Sequence, residues 1–224
     1  NRKDELGDMA EAFNSMAGDL ALQQELRRKS MADIAHELRT PLSIIQIDLE
    51  SLEDGLMEFT PDNIRLIRNE AAYLNVMVED LRLLSQADAG ELRIELTKIE
   101  IGSIVREIVE RQRHLMREKQ LTLDYQLPEN EVFILGDTQR LSQILINLIN
   151  NAAQHTAAGG KIVISAQQND DFVDISVQDN GEGIPANDLP YVFERLYRVE
   201  KSRSRDEGGT GLGLSIARSL VEAQ

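Results

Sequence analysis

The chain contains no cysteine and no tryptophan among its 224 residues. Disulfide scaffolds and thiolate metal sites are therefore excluded, and the lack of thiols suits a reducing compartment. Glycine and proline are also limited, at 14 and 5 residues, beside 42% hydrophobic and 28% charged residues. Collagen, a mucin stalk and wholesale disorder do not fit those proportions. Positive charge is in deficit: 24 basic residues face 39 acidic ones, for a net charge of −15. Such a surface repels nucleic acid phosphates and anionic lipid, which argues against a nucleic acid or membrane-surface binder. No apolar run approaches the ~18 residues of a membrane span. No signal peptide is visible in these residues, and the chain opens at Asn1 rather than Met, so further sequence is expected upstream. What remains is ordinary globular composition, long enough for one to two domains and a real core.

The first 89 residues read as helix almost throughout. Leu6, Met9, Phe13, Met16 and Leu20 alternate spacings of three and four. Downstream the register shifts: Met31, Leu38, Ile45 and Leu52 recur every seven, interleaved with Ala35, Leu42, Leu49 and Leu56. This is the seam of a coiled coil or helical bundle, and the shift near residues 20–31 predicts a stutter. Gly55 and Pro61 interrupt the pattern, with Thr60 as N-cap, Pro61 at the first helical position and Asp62 in the first turn. A second stripe follows: Ile64, Ile67, Ala71, Leu74, Val78 and Leu81. Two such helices make an antiparallel hairpin, which covers its stripe by dimerising into a four-helix bundle. From Ala89-Gly90 the pattern mixes. Extended segments are expected over 92–101, 121–126 and 132–135, and a helix is marked by Ile104, Val105, Ile108 and Leu115. Asp137 caps a further helix whose apolar face is Leu141, Ile144, Leu145, Leu148 and Ala152. Residues 161–166 and 172–177 read as a hairpin around Asn169-Asp170-Asp171. Two glycine clusters then flank a short helix and a basic stretch, and a last helix begins near Leu212.

Four constellations carry chemistry. In Met31-Ala-Asp-Ile-Ala-His-Glu-Leu-Arg-Thr-Pro-Leu42, His36 and Glu37 lie off the seam, and Thr40 shares the His36 face. A neutral imidazole beside a carboxylate can act as a nucleophile; the alternative is a plain surface pair. Zinc binding of the His-Glu-x-x-His kind fails at Thr40. Pro41 inside the stripe costs about 3 kcal/mol and predicts a kink. Asn147 and Asn151 lie four apart on one face, able to ligate a hydrated cation and phosphate oxygens, or simply forming a polar face. His155 follows, a position more often filled for packing. Asp179-Asn-Gly181-Glu-Gly183-Ile-Pro185 ends a strand with two glycines that admit close backbone approach. A buried Asp179 there could accept from an exocyclic amine. A dinucleotide fingerprint is disfavoured by Pro185 and Pro190, which fragment the required helix, and a plain turn is the other alternative. Gly208-Gly-Thr-Gly-Leu-Gly213 runs into a helix and so offers an anion site, although it lacks the Lys-Ser/Thr of a P-loop. Between the glycine clusters, Arg195, Arg198, Lys201, Arg203 and Arg205 form a basic stretch that reads as a phosphate-neutralising lid or as a solvated loop.

In this order and spacing, the four constellations resemble the bacterial sensor histidine kinases of two-component systems. His36-Glu-Leu-Arg-Thr-Pro is similar to the family's phosphoacceptor box and Asn147–Thr156 to its N box. Asp179-x-Gly-x-Gly183, Phe193–Arg198 and Gly209–Gly213 are similar to its first glycine, F and second glycine boxes. Asp4-Glu-Leu-Gly7 resembles the second helix of a HAMP signal-relay module. The resemblance implies a multidomain fold, all-α and then α+β. Residues 1–21 would end a HAMP-like coiled coil, and residues 22–89 a dimerisation and phosphotransfer hairpin. Residues 90–224 would form an α/β sandwich of the GHKL (Bergerat) ATPase type, expected to lack its last strands. It implies that ATP phosphorylates His36 and that the phosphoryl group passes to an Asp of a response regulator receiver domain. Glu37 would be the general base. Asn151, helped by Asn147, would hold Mg²⁺. Asp179 would bind the adenine amine and Ile184 would wall the base. Tyr197 and Arg198 would approach ribose or phosphates, and Gly209, Gly211 and Gly213 would wrap the phosphates. His155, Gly181, Gly183, Thr210 and Leu212 count among the nucleotide-contacting positions. The Glu37-x-x-Thr40 pattern resembles that of members that also dephosphorylate the regulator, with Thr40 holding a water. The fragment would be cytoplasmic and homodimeric, joined to the cell membrane only through upstream segments.

One departure concerns charge: where the N box commonly carries a base three residues after its second Asn, this chain has Gln154. Part of the phosphate neutralisation would then fall to the basic stretch. Two other functions compete, a non-catalytic scaffold with a degenerate nucleotide domain and a hydrolytic ATPase of the same fold. The first is disfavoured by His36, Asn151, Asp179 and the glycines all being present, the second by the hairpin that carries His36.

Overall fold

A computed structural model describes residues 5–170, 172–199 and 209–224. Asn1, Asp4, Asp171, Lys201, Arg203, Arg205 and Gly208, named above, lie outside the described residues. The chain divides into two compact units, one ending at Val76 and one spanning Met77–Gln224.

In the first unit, α1 (Glu5–Glu53) is a single helix of 49 residues, about 74 Å long. The register shift near residues 20–31 is absorbed without a break, and Pro41 lies inside the helix without ending it. The ring removes only one N–H from the ladder, while the bonds on either side hold the turn. The helix closes at Gly55, where Leu56 N and Met57 N both donate to Ser51 O at 2.9 Å. The next helix, α2 (Pro61–Asp88), opens with the expected cap: Asn63 N donates to Thr60 Oγ1 at 3.3 Å. Of the two interleaved stripes on α1, Leu38, Ile45 and Leu52 are half-buried. Leu42 and Leu49 stay 49% and 46% exposed, and Leu56, expected to continue their stripe, lies in the turn beyond the helix at 83% exposed.

In the second unit, the last turns of α2 bury Met77, Leu83 and Leu84. Strand β1 (Thr97–Glu100) pairs antiparallel with β3 (Phe133–Gly136). A second sheet runs β2 (Thr122–Gln126), β4 (Lys161–Asn169), β5 (Phe172–Asp179), with β2 parallel and β5 antiparallel to the central β4. The β4 side chains alternate, placing Ile162, Ile164 and Ala166 inward, the period of a half-covered strand. Over that face lie α3 (Ile101–Glu118) and α4 (Thr138–Gln154), which contribute Val105, Val109, Leu145 and Ile149 to one core. α5 (Gly213–Ala223) packs on α4 through Leu212, Ile216 and Leu220, all fully buried.

The structure shifts some expected boundaries. The extended segment over 92–101 reduces to β1, because the Glu100 carboxylate accepts from Gly102 N and Ser103 N, at 2.8 and 2.6 Å, and starts α3 at Ile101. On α4, Ile149 is buried where Leu148 was expected, and Leu148 is half-buried. The short helix between the glycine clusters is one 3₁₀ turn, Leu189–Tyr191. The expected cap of α4 holds: Asp137 Oδ1 accepts from Gln139 N and Arg140 N at 2.9 and 3.1 Å, while Oδ2 accepts from Glu95 N at 3.0 Å. These N–H donors, Glu95 first, hold the Asp137 carboxyl below the usual carboxylate range.

Candidate functional site

On α1 the His36 ring is exposed and Glu37 half-buried, so the imidazole is open to a reactant. The Thr40 hydroxyl donates to the His36 carbonyl at 3.3 Å, one turn back along the same face. Its proton is thereby engaged, while its acceptor lone pairs stay open to a water. Among the described residues no hydrogen bond joins the His36 ring to Glu37. Neighbouring helical positions diverge.

The second site gathers around α4, where Asn147, Asn151 and His155 recur every four residues. Each end of this row is tied to one glycine cluster. Asn147 Nδ2 donates to Gly213 O at 3.2 Å, at the start of α5. At the other end His155 Nδ1 meets Glu182 Oε1 at 2.9 Å, and Glu182 N donates back to His155 O at 3.2 Å. Asn151 lies between the two ties. Gly181 is required here: a Cβ would stand 2.1 Å from His155 O, so the loop closes on α4 only without a side chain. Asp179, at the end of β5, accepts from Gly181 N at 2.9 Å through Oδ1. Its carboxylate is exposed rather than buried, because the strand ends at the open margin of the sheet; Oδ2 remains for a ligand. Ile184 is 44% exposed beside it in the chain.

The second glycine cluster backs onto the segment that ends the F-box match. Gly211 adopts φ 67° and Leu196 φ 60°. Leu196 N donates to Gly211 O at 3.0 Å, and a Cβ on Gly211 would stand 3.0 Å from Leu196 Cα, so glycine satisfies both demands. Gln154, the expected basic position, lies against Gly209. Leu212 is fully buried, so only its backbone can face a ligand. Leu212 N donates to Thr210 Oγ1 at 3.3 Å, and the Thr210 hydroxyl donates to Asp80 Oδ2 at 3.3 Å. The Tyr197 hydroxyl donates to Asp188 at 2.5 Å, and this bond pushes the phenol up to about 12. Its proton is therefore committed to Asp188, not offered to a ribose, and its ring lies 5.7 Å from that of Tyr191. Arg198 is half-buried. Arg195 pairs with Asp88 at 2.5 Å.

Among the described residues no cluster of His, Cys, Asp and Glu could hold a metal ion. The amide oxygens of Asn151 and Asn147 suit a hard cation such as Mg²⁺ only if phosphate oxygens complete its shell. Glu182, Asp80 and Asp188 were not foreseen in the sequence. Glu182 had a signal, its place between Gly181 and Gly183; Asp80 and Asp188 had none, since they reach the site only through the fold.

Two family descriptions match the chain. His Kinase A (phospho-acceptor) domain covers residues 26–90, and histidine kinase-, DNA gyrase B-, and HSP90-like ATPase covers residues 136–224. The signal transduction histidine-protein kinase BaeS of Escherichia coli is 38% identical over 221 residues, 99% of this chain and 47% of BaeS. The chain belongs to the bacterial sensor histidine kinases. The sensor histidine kinase WalK of Bacillus subtilis is 35% identical over 202 residues, 88% of this chain and 33% of WalK. This sensor kinase chain thus spans about half or less of the length of those curated relatives. The structure of the Acinetobacter baumannii histidine kinase AdeS superposes with a TM-score of 0.71 at 28% identity, over 84% of this chain and 86% of that one. A helical hairpin followed by an α/β ATPase domain is the shared architecture.

Proposed function

We propose that this sensor kinase chain transfers the γ-phosphoryl group of ATP to a ring nitrogen of His36, and then to an Asp carboxylate of a response regulator. The exposed His36 within the phospho-acceptor match carries the reading. In the first step the bond from the γ-phosphorus to its bridging oxygen breaks, ADP leaves, and an N–P bond forms. Glu37 takes the proton from the other ring nitrogen as positive charge develops. The exocyclic amine of adenine donates to Asp179 Oδ2, and Ile184 walls the base. The glycines at 209, 211 and 213 bring backbone N–H groups and the α5 dipole to the phosphates. Asn151, with Asn147, holds Mg²⁺, which supplies neutralisation of phosphate charge when bound with the nucleotide. Arg198 adds charge where Gln154 adds none. Tyr197 acts through its ring, its hydroxyl being held by Asp188.

By the same reading residues 1–21 end a HAMP-like relay, residues 22–89 dimerise, and residues 90–224 bind ATP. A membrane anchor belongs upstream. Dephosphorylation of the regulator is a second activity of the same helix face. Incubation with γ-labelled ATP tests the central step. We expect acid-labile, base-stable label on the protein, absent from His36→Gln although that variant still binds ATP. Free phosphate alone would make the chain a hydrolytic ATPase, and no label at all would leave it a scaffold.

A further inference from the structure

The first glycine cluster is fastened to α4 by contacts that the proposed chemistry does not use. Glu182 reaches back 27 positions in sequence to the His155 ring at 2.9 Å. Its own backbone N–H binds the His155 carbonyl at 3.2 Å. The neighbouring Gly181 has no Cβ to clear that same carbonyl, and its N–H binds Asp179 Oδ1 at 2.9 Å. A continuous chain of contacts therefore runs from the ring of His155 through Glu182 and Gly181 to the carboxylate of Asp179. A carboxylate only accepts hydrogen bonds, so the His155 nitrogen facing Glu182 carries the proton.

We propose that Glu182 and His155 form a clasp that orients the Asp179 carboxylate and so sets the preference for adenine over guanine. They are positioning residues, acting through Asp179, and the inference rests on Asp179 being the adenine acceptor. Asp179 sits on an open margin and nothing buries it, so its direction depends on the turn that follows. With Oδ1 held by Gly181 N, Oδ2 is aimed at one place. A base that presents an amine there is accepted. One that presents a carbonyl, as guanine does at its corresponding position, meets a like lone pair. A carboxylate free to swing would lose affinity for the base that presents the amine, and with it that distinction, while the base that presents the carbonyl is unaffected.

The His155 and Glu182 side chains are 46% and 58% exposed, so the clasp is a modest interaction whose loss is worth roughly two- to fivefold in affinity. The test measures ATP and GTP dissociation constants by calorimetry on the whole chain, for wild type, Glu182→Ala, Glu182→Gln and His155→Ala. We expect Glu182→Ala to weaken ATP by roughly two- to fivefold with GTP unchanged, so that the ratio of the two affinities shrinks. Glu182→Gln, whose amide oxygen still accepts from His155, restores most of the ratio. Combining Glu182→Ala with His155→Ala adds little to either single change, as expected for one shared contact. General loosening of the domain would weaken both nucleotides alike and overturn the inference, as would an unchanged ratio in Glu182→Ala. A wild type without preference for ATP would instead overturn the adenine assignment of Asp179.

Discussion

At the scale of single residues, Thr40 would separate the two activities proposed for one helix face. Its hydroxyl proton is spent on the His36 carbonyl, so it cannot serve as an acid, but it can still accept a hydrogen bond from a water. A water held there gains by orientation alone, as attack on an acyl phosphate requires. We therefore expect Thr40→Ala to label at His36 within about twofold of wild type, and to lose regulator dephosphorylation by more than about tenfold. Both assays are run on one preparation. Parallel loss of both activities would instead mean that the bond to His36 O supports the helix. Residues of this kind are legible in sequence, because their meaning lies in a local spacing: His36, Glu37 and Thr40 on one turn, or Asp179, Gly181 and Gly183 at a strand end. The pairings of Tyr197 with Asp188 and of His155 with Glu182 were not legible, although the place of Glu182 between two glycines was. Asp188 and Glu182 become neighbours only after the loop folds back, and no spacing rule links residue 155 to residue 182.

At the scale of elements, the end of α2 carries an electrostatic load. Asp80 is half-buried, and burial raises its pKa above the ordinary 3.8, partly offset by the Thr210 hydroxyl. An acid whose folded pKa is raised penalises folding when ionised. That penalty is absent below 3.8, grows as pH rises through the raised folded value, and is constant above it. Asp80→Asn keeps an acceptor for Thr210 and removes the charge. It should raise the melting temperature by a few degrees at pH 7, with the gain fading toward pH 4. A gain independent of pH would show that burial of charge is not what loads this helix. The elements themselves were readable where a period runs long: the stripes on α1 and α2, the face of α4 and the β4–β5 hairpin. Legibility failed where one contact decides a boundary. Glu100, expected within an extended segment, instead caps α3 and ends the strand.

At the scale of the whole molecule, the open question is what covers the hairpin. Scattered exposed leucines need no explanation. Here the exposed ones keep heptad spacing, Leu42 and Leu49 on α1 and Leu56 in the turn just after it, beside the half-buried Leu38, Ile45 and Leu52. On α2, Ile64 is 38% exposed, with Ile67, Ala71 and Leu74 half-buried. A continuous apolar stripe at heptad spacing calls for a facing helix of the same period, and a second copy of the hairpin supplies one, closing four helices around a shared core. Burying the remaining half of such a leucine is worth about 1 kcal/mol, which is about fivefold in the dissociation constant. Each copy contributes Leu38 and Leu74, so Asp at both positions removes four such burials and places charge in the seam. We expect wild type to sediment as a dimer at micromolar concentration, and the Leu38→Asp, Leu74→Asp variant as a monomer. Circular dichroism checks that the second unit, which contains neither position, keeps its fold. A wild-type monomer, or a variant with unchanged mass, would mean that the stripe is covered by something other than a second copy of this chain.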